Sequence, residues 1–425
     1  MNILVIGSGG REHTLVWKLS KSPKATKIYA LPGNVGMENI AECVTGIAIT
    51  DNAKITEFAK NNNIDLVVVG PEVPLTNGLV DALNVSGIKA FGPTKNAAEI
   101  EGSKSFSKNL MKKYNIPTAK YEVFTDAAAA KEYIKKEGAP IVIKADGLAA
   151  GKGVVVAMTE HDALAAIADI MEDGEFGAAG SRVVIEEFME GEEASLLCFT
   201  DGKTIVPMIS SQDHKRAFDG DKGPNTGGMG TYAPAPVMTK EMVKSAYDKI
   251  LVPTIKAMEK ENRLYKGCLY AGLMITKDGP KVVEFNARFG DPETQVVLPL
   301  LESDLVDIML ACADGTLEDC SIKWKDGAAV CVVMASGGYP KTYEKGKKIT
   351  GLTAAEETGA LVFHAGTAKK NGEIVTDGGR VLGVVATADN IKTAVAKAYE
   401  GVAKIDFDGV FYRKDIAHRA LERLE

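Results

Sequence analysis

Short apolar runs recur along the chain at residues 2–6, 65–69, 89–91, 140–144, 154–157 and 328–335. Runs of this length bounded by glycine and proline read as strands, and unbroken ones as strands buried on both faces of a parallel sheet. Between them apolar residues return every three or four positions, as at Leu15, Val16 and Leu19 and again across 239–261. That is the spacing of a helix with one buried face. The N-terminal region is therefore expected to repeat strand, turn and helix. Its three strands end in Gly7-Ser8-Gly9-Gly10, Gly70-Pro71-Glu72 and Gly92-Pro93-Thr94. Ligands of open α/β sheets bind at such carboxyl edges, and a glycine turn leading into a helix offers backbone N–H groups to an anion. A dinucleotide site is not expected. Glu12 stands where the third glycine of that fingerprint belongs, and no acidic residue ends the second strand near 27–30. A phosphate or phosphosugar fits better.

A period of two appears at 282–294, VVEFNARFGDPET, where Glu284, Asn286 and Arg288 would share one strand face. A carboxylate and an amide oxygen suit Mg²⁺ that keeps phosphate oxygens as further ligands, and a guanidinium suits phosphate. Alone, the triplet fits a charged surface strand equally well. Upstream, the run 140–144 ends in Lys144 and is followed by ADGLAAGKG and a second apolar run, a strand–glycine loop–strand unit. It is not a P-loop: Gly147 to Gly151 is one residue too short, and Gly153 replaces the required Ser or Thr. No protein-kinase loop follows either. A strand over 183–188 ends in Glu186, Glu187 and Phe188. The segments 212–216 (QDHKR) and 223–230 (GPNTGGMG) read as polar loops that connect elements or wrap a ligand. His214 is a weak catalytic candidate, and His364 reads as a packed or loop histidine.

Composition narrows the class. The 425 residues are 45% hydrophobic and 25% charged with a net charge of −7, ordinary for a soluble globular chain and without the basic surplus of a nucleic-acid binder. Six scattered cysteines form no C-x-x-C pair, so reduced thiols of a cytoplasmic protein are expected. The opening MNILVIGSGG lacks the basic start of a signal peptide, and no apolar run is long enough to span a membrane.

The motifs GSGGREH, GPEVPL, FGPT, EGSK, IKADGLAAGKGV, VIEEFMEGEEAS, QDHKRAFDGDKGPNTGGMG, YAGLM, EFNARFGDPETQ, SGGYP, FHAGT, TDGGRVLGV and YRKDI follow one another in this order. The chain thereby resembles the ATP-grasp enzymes and, more closely, the phosphoribosylamine–glycine ligase (glycinamide ribonucleotide synthetase) family over essentially its whole length. Each motif is weak alone; the ordered set is specific. The resemblance implies an α/β, ATP-grasp fold in three parts. They are an N-terminal open parallel α/β (pre-ATP-grasp) domain at 1–102, an ATP-grasp domain at 103–325 with a mobile glycine-flap subdomain at about 120–190, and a small α+β C-terminal domain at 326–425.

It also implies roles. Lys104 and Lys144 would contact ATP phosphates, Gly151, Lys152 and Gly153 form the flap, and Glu186, Glu187 and Phe188 the adenine linker, with Glu193 on the ribose. Glu284 and Asn286 would hold Mg²⁺ or Mn²⁺, with Arg288 on phosphate. Gly9, Gly10 and Glu72 would face phosphoribosylamine. Asp213, Lys215, Asp291, Pro292 and Glu293 lie in motifs near the substrates, undivided between glycine and the amine. Many ATP-grasp relatives carry a second acidic metal ligand on the preceding strand; here 270–274 reads YAGLM, which leaves open the ligands of a second ion. The implied reaction joins glycine to 5-phosphoribosylamine with ATP, through glycyl phosphate. The implied enzyme is a cytoplasmic monomer without nucleic-acid or membrane partners, in transient contact with the enzyme that makes phosphoribosylamine. Two alternatives are another ATP-grasp ligase or carboxylase of purine biosynthesis, and a nucleotide-binding regulator without turnover.

Overall fold

The computed structural model describes residues 1–148, 153–173 and 177–424. It is an α/β structure built on four principal sheets. The first holds, in spatial order, Glu42–Cys43, Lys27–Pro32, Asn2–Gly7, Leu66–Val69 and Lys89–Phe91, all parallel. Chain order reverses between Asn2–Gly7 and Leu66–Val69, so their carboxyl ends open the crevice at which such sheets take ligands. Alternate residues of the first strand feed two cores. Leu4 and Ile6 pack with Val67 and Val69, whereas Ile3 and Val5 pack with Leu15, Val16 and Leu19 of the helix Gly10–Leu19.

The second sheet runs Tyr121–Phe124, Val183–Glu187, Ile141–Ala145 and Val154–Ala157, antiparallel throughout. It has its own core of Ile134, Ile143, Ala163, Ile167, Val183 and Ile185, as a separately packed body does. The third sheet, Ile205–Pro207, Glu192–Thr200, Gly267–Thr276 and Gly279–Asn286, is also antiparallel. Its last strand carries a bulge: Leu273 pairs with Val282 but Gly272 with Glu284, which leaves Val283 unpaired. Bulges re-aim side chains next to functional sites. Arg288 lies beyond the end of this strand, in the bend that follows it.

The fourth sheet crosses the expected boundary at 325. Its order is Gln212–Asp213, Gly230–Ala233, Ala328–Ala335, Arg380–Ala388 and Leu361–His364. The segments read from sequence as loops are thus partly strands, and Arg216–Phe218 and Lys222–Asn225 add a two-stranded hairpin beside them. Glycine and proline density suggested loops. The strands are only two to four residues long, too short for periodicity to register. Among the described residues, no helix is long and apolar enough to cross a membrane, and all six cysteines are free.

Candidate active site

A cleft of about 1040 Å³ separates the second and third sheets and reaches the edge of the first. One wall is the bulged strand with its following bend, which brings Glu284, Asn286 and Arg288 into the cleft. Burial pushes the Glu284 carboxyl up, but Lys215, Lys144, Lys104 and Arg288 around it prevail and hold it below the usual glutamate range. Arg288 donates to Asn286 Oδ1 at 3.3 Å and pairs with Glu101 at 2.8 Å. Its buried Nε–H faces Glu72 at 3.4 Å and makes no hydrogen bond among the described residues. Glu101 is itself fixed by the Ala287 N–H, which donates to it at 2.6 Å.

The facing wall comes from the helix Lys104–Lys113, whose N-cap Ser103 accepts from Phe106 N. Residues four apart share a helix face, so Lys104 and Lys108 both line the cleft. Lys104 Nζ donates to the Gly147 carbonyl at 2.8 Å, at the root of the glycine loop. Lys144 Nζ donates to the carbonyl of the bulged residue Val283 at 3.1 Å. The Glu186 carboxylate sits between Lys144 and Lys108, 2.9 Å from each. Burial lowers the Lys108 ammonium to about 8, against the pull of Glu186. The sequence offered Glu186 for adenine; its carboxylate is buried and paired with two lysines. Glu187 accepts from Lys120 N at 3.0 Å, and Phe188 and Gly153 complete this end of the cleft. Gly151 and Lys152 lie outside the described residues.

Toward the hairpin, Lys215 Nζ lies 2.7 Å from Glu193. Lys215 holds the Glu193 carboxyl below its usual range against burial. Burial lowers the Lys215 ammonium, yet Glu193 and Asp213 raise it well above its ordinary value. Asp213, also on the cleft wall, is pushed up to about 7 by burial and by Glu293, against the pull of Lys215. Glu293 accepts from Tyr270 at 3.0 Å and from Ser195 at 3.3 Å. His214 is not a cleft residue: burial and Arg413 lower it to about 3, and its Nε2 accepts from Ala417 N at 2.9 Å. His364 is buried too, and its backbone N–H donates to His13 Nδ1 at 2.8 Å.

A second recess of about 550 Å³ opens at the carboxyl edge of the first sheet, between the glycine turn 7–9 and residues 47–50. It shares Arg11 and Asp291 with the main cleft. The Asp291 carboxylate accepts from Arg11 N at 3.2 Å and from Gln295 at 2.9 Å, with Arg380 3.5 Å away. Arg380 also donates to the Gly227 carbonyl at 2.8 Å and the Asp291 carbonyl at 3.0 Å. Glu12 occupies the floor. It accepts from Gly9 N at 2.8 Å and from Arg11 Nε at 2.6 Å. A Cβ on Gly7 would stand 2.4 Å from Glu12 Cγ, and one on Gly70 2.3 Å from Glu12 Oε1. The residue that spoiled the dinucleotide pattern therefore packs between the glycines that end two strands of the first sheet.

Gly9 lines the recess and Glu72 the cleft, but two expected substrate contacts lie elsewhere. Gly10 opens the first helix under Gln295, whose Nε2 would be 2.7 Å from a Cβ there, and Pro292 packs on Gly228. The third turn, at Gly92, lines neither cavity; Gly267 packs against it. The sequence reading gave no site role to Arg11, Glu101, Lys108 or Arg380, and read Glu12 only as a break in the dinucleotide pattern. Only Lys108 left a signal, its spacing of four from Lys104.

Three family models match the chain: the phosphoribosylglycinamide synthetase N domain over 1–101, its ATP-grasp (A) domain over 102–294 and its C domain over 329–419. The phosphoribosylamine–glycine ligase of Halalkalibacterium halodurans is 55% identical over 421 residues, 99% of this chain and 97% of that protein. The crystal structure of the Thermotoga maritima phosphoribosylamine–glycine ligase superposes with a TM-score of 0.84 at 35% identity, covering 98% of this chain and 100% of that one. At 17% identity, the biotin carboxylase domain of Hydrogenobacter thermophilus 2-oxoglutarate carboxylase shares the fold alone, with a TM-score of 0.74 over 97% of this chain and 91% of that one. The chain belongs to the phosphoribosylglycinamide synthetase, or phosphoribosylamine–glycine ligase, family of ATP-grasp enzymes.

Proposed function

We infer that this chain is an ADP-forming ligase that joins glycine to 5-phosphoribosylamine, giving glycinamide ribonucleotide and phosphate, a step of purine biosynthesis. The observation that carries the reading is the meeting of two cavities at Arg11 and Asp291: a long cleft ringed by lysines, and an anion-sized recess at a glycine turn. ATP fits the first, with its ribose toward Glu193 and its phosphates toward Lys104, Lys144 and Arg288. The Arg288 Nε–H, buried 3.4 Å from Glu72 without a well-formed hydrogen bond, is the donor this reading turns to a phosphate oxygen. The phosphate of phosphoribosylamine fits the second, at the carboxyl edge of the first sheet.

The residues also fit Mg²⁺ or Mn²⁺. Glu284 is held ionised and Asn286 adds an amide oxygen, while no group of three or more acidic, histidine or cysteine residues gathers for a metal among the described residues. A hard cation here would draw its remaining ligands from phosphate and water. When bound, such an ion neutralises charge on the β- and γ-phosphates.

The chain's own part is orientation and charge. The glycine carboxylate attacks the γ-phosphorus, and the β–γ oxygen bond breaks to give glycyl phosphate and ADP. Lys104, Lys144 and Arg288 face the charge that develops. The amine nitrogen then attacks the acyl carbon, and phosphate leaves. On this reading Asp213, a cleft-wall carboxyl raised to about 7, takes the proton that nitrogen loses. The reading carries with it a monomeric, cytoplasmic enzyme that receives its labile amine by brief contact with the enzyme that makes it. The test is ADP release with phosphoribosylamine generated in situ, with and without glycine. Release that needs both substrates supports the ligase; release that follows bicarbonate or another amino acid overturns it.

A further inference from the structure

The hairpin Arg216–Phe218 and Lys222–Asn225 lies over the cleft, and it is a two-stranded ribbon. Isolated ribbons of this kind are marginal in water. What holds this one is a segment almost two hundred residues away in sequence, from Phe411 to Arg423. Its anchor is Arg413, only 1% exposed. Arg413 grips Asp415 through Nε at 2.8 Å and a terminal nitrogen at 2.7 Å. Its other terminal nitrogen donates to Asp221 at 2.8 Å and to the Arg216 carbonyl at 3.2 Å. Arg419 closes on Asp221 at 2.6 Å, Lys414 N donates to Asp219 at 2.8 Å, and Gly220 N donates to Asp415 at 2.8 Å. Every turn of the hairpin tip is thus answered by this one segment.

A buried guanidinium is tolerated only with its partners in place, and removing one partner of such a set leaves an uncompensated charge. The hairpin's base carries Lys215 to Glu193, and its far strand puts Asn225 on the cleft wall with Asp221 and Arg419. These residues line the same cleft as Glu284, Asn286 and Arg288, the cleft that the ligase reading gives to ATP.

We propose that Arg413 is a positioning residue and that the 411–423 segment is a clamp that keeps ATP consumption tied to ligation by holding the hairpin shut over the acyl phosphate. The inference rests on the ligase reading. With the clamp open, water attacks the acyl carbon in place of the amine, the carbon–oxygen bond to phosphate breaks, and glycine and phosphate are returned while ADP has already formed.

The experiment measures ADP and glycinamide ribonucleotide in parallel for the full chain and for Arg413→Gln, Arg413→Lys and Asp221→Asn. In Arg413→Gln the ratio of ADP to product is expected to rise from one to about two or more as water gains access, while ligation slows by about tenfold to a hundredfold from misplacement of Lys215. Arg413→Lys, which keeps the charge, should bring the ratio back toward one. Asp221→Asn leaves Arg413 paired with Asp415 and should show the raised ratio even if Arg413→Gln does not fold. A ratio that stays at one in Asp221→Asn and in any folded Arg413→Gln, whatever the rate, overturns the clamp and leaves the ligase standing. A wild-type chain that makes no glycinamide ribonucleotide overturns the ligase reading and the clamp with it.

Discussion

Glu284 is a carboxylate toward which Lys215, Lys144, Lys104 and Arg288 all converge. Replacing it by alanine removes the anion that balances them and the charged oxygen donor for a cation. Ligation is expected to fall by about a hundredfold to a thousandfold, read as steady-state ADP release, with the circular dichroism spectrum unchanged. Asp213 makes a different prediction. The folded chain binds its proton more tightly than the unfolded chain does, since its carboxyl is raised from 3.8 to about 7. Its contribution to stability is therefore fully present below the ordinary aspartate value and is lost as the pH rises through about 7. Urea midpoints taken from pH 4 to pH 8 should decline less steeply for Asp213→Asn than for the wild type. At this scale the sequence exposed what neighbours in the chain determine. Glu284 and Asn286 sit two apart on a strand, and Lys144 ends one. Glu101 acts through Arg288 and Arg380 through Asp291, pairs 187 and 89 positions apart in the chain. No local spacing marks such pairs.

Elements show the same division. The carboxyl edge of the first sheet was legible because an apolar run ending in glycine is a local pattern. The reason for its two glycines was not, because it lies in the Glu12 side chain that both strand ends enclose. Gly70→Ala is expected to destabilise the chain by about 1–3 kcal/mol through overpacking, measured by urea unfolding. Adding Glu12→Ala should return part of that loss, since residues in contact are not additive. The bulge at Val283 was likewise invisible, because alternation alone cannot say where a strand inserts an extra residue. It nevertheless decides where the Lys144 ammonium is held. The hairpin segments were misread as loops for a related reason: their strands are too short to show a pattern, and what anchors them is the remote segment 411–423.

At the scale of the molecule, Asp291 joins the first helix, through the Arg11 N–H, to the fourth sheet, through Arg380. Asp291→Asn keeps the shape and removes the charge. The KM for phosphoribosylamine should rise by about tenfold, in line with the loss of a charge-assisted hydrogen bond. The KM for ATP should stay within about twofold, since the lysine wall is untouched; initial-rate kinetics with each substrate varied in turn checks both. The sharing of a sheet between 212–233 and 328–388 could not be read from the ordered motifs. That sharing has a consequence in time. A ribosome makes roughly 5–20 residues per second, so Gly230–Ala233 emerges seconds before Ala328–Ala335, the strand it must pair with, and the Arg413 anchor emerges later still. The ATP-facing walls can form while synthesis continues, but the wall that excludes water is finished last. A nascent or prematurely ended chain thus lacks the part that makes the chemistry selective, and the order of translation becomes an order of assembly for the active site.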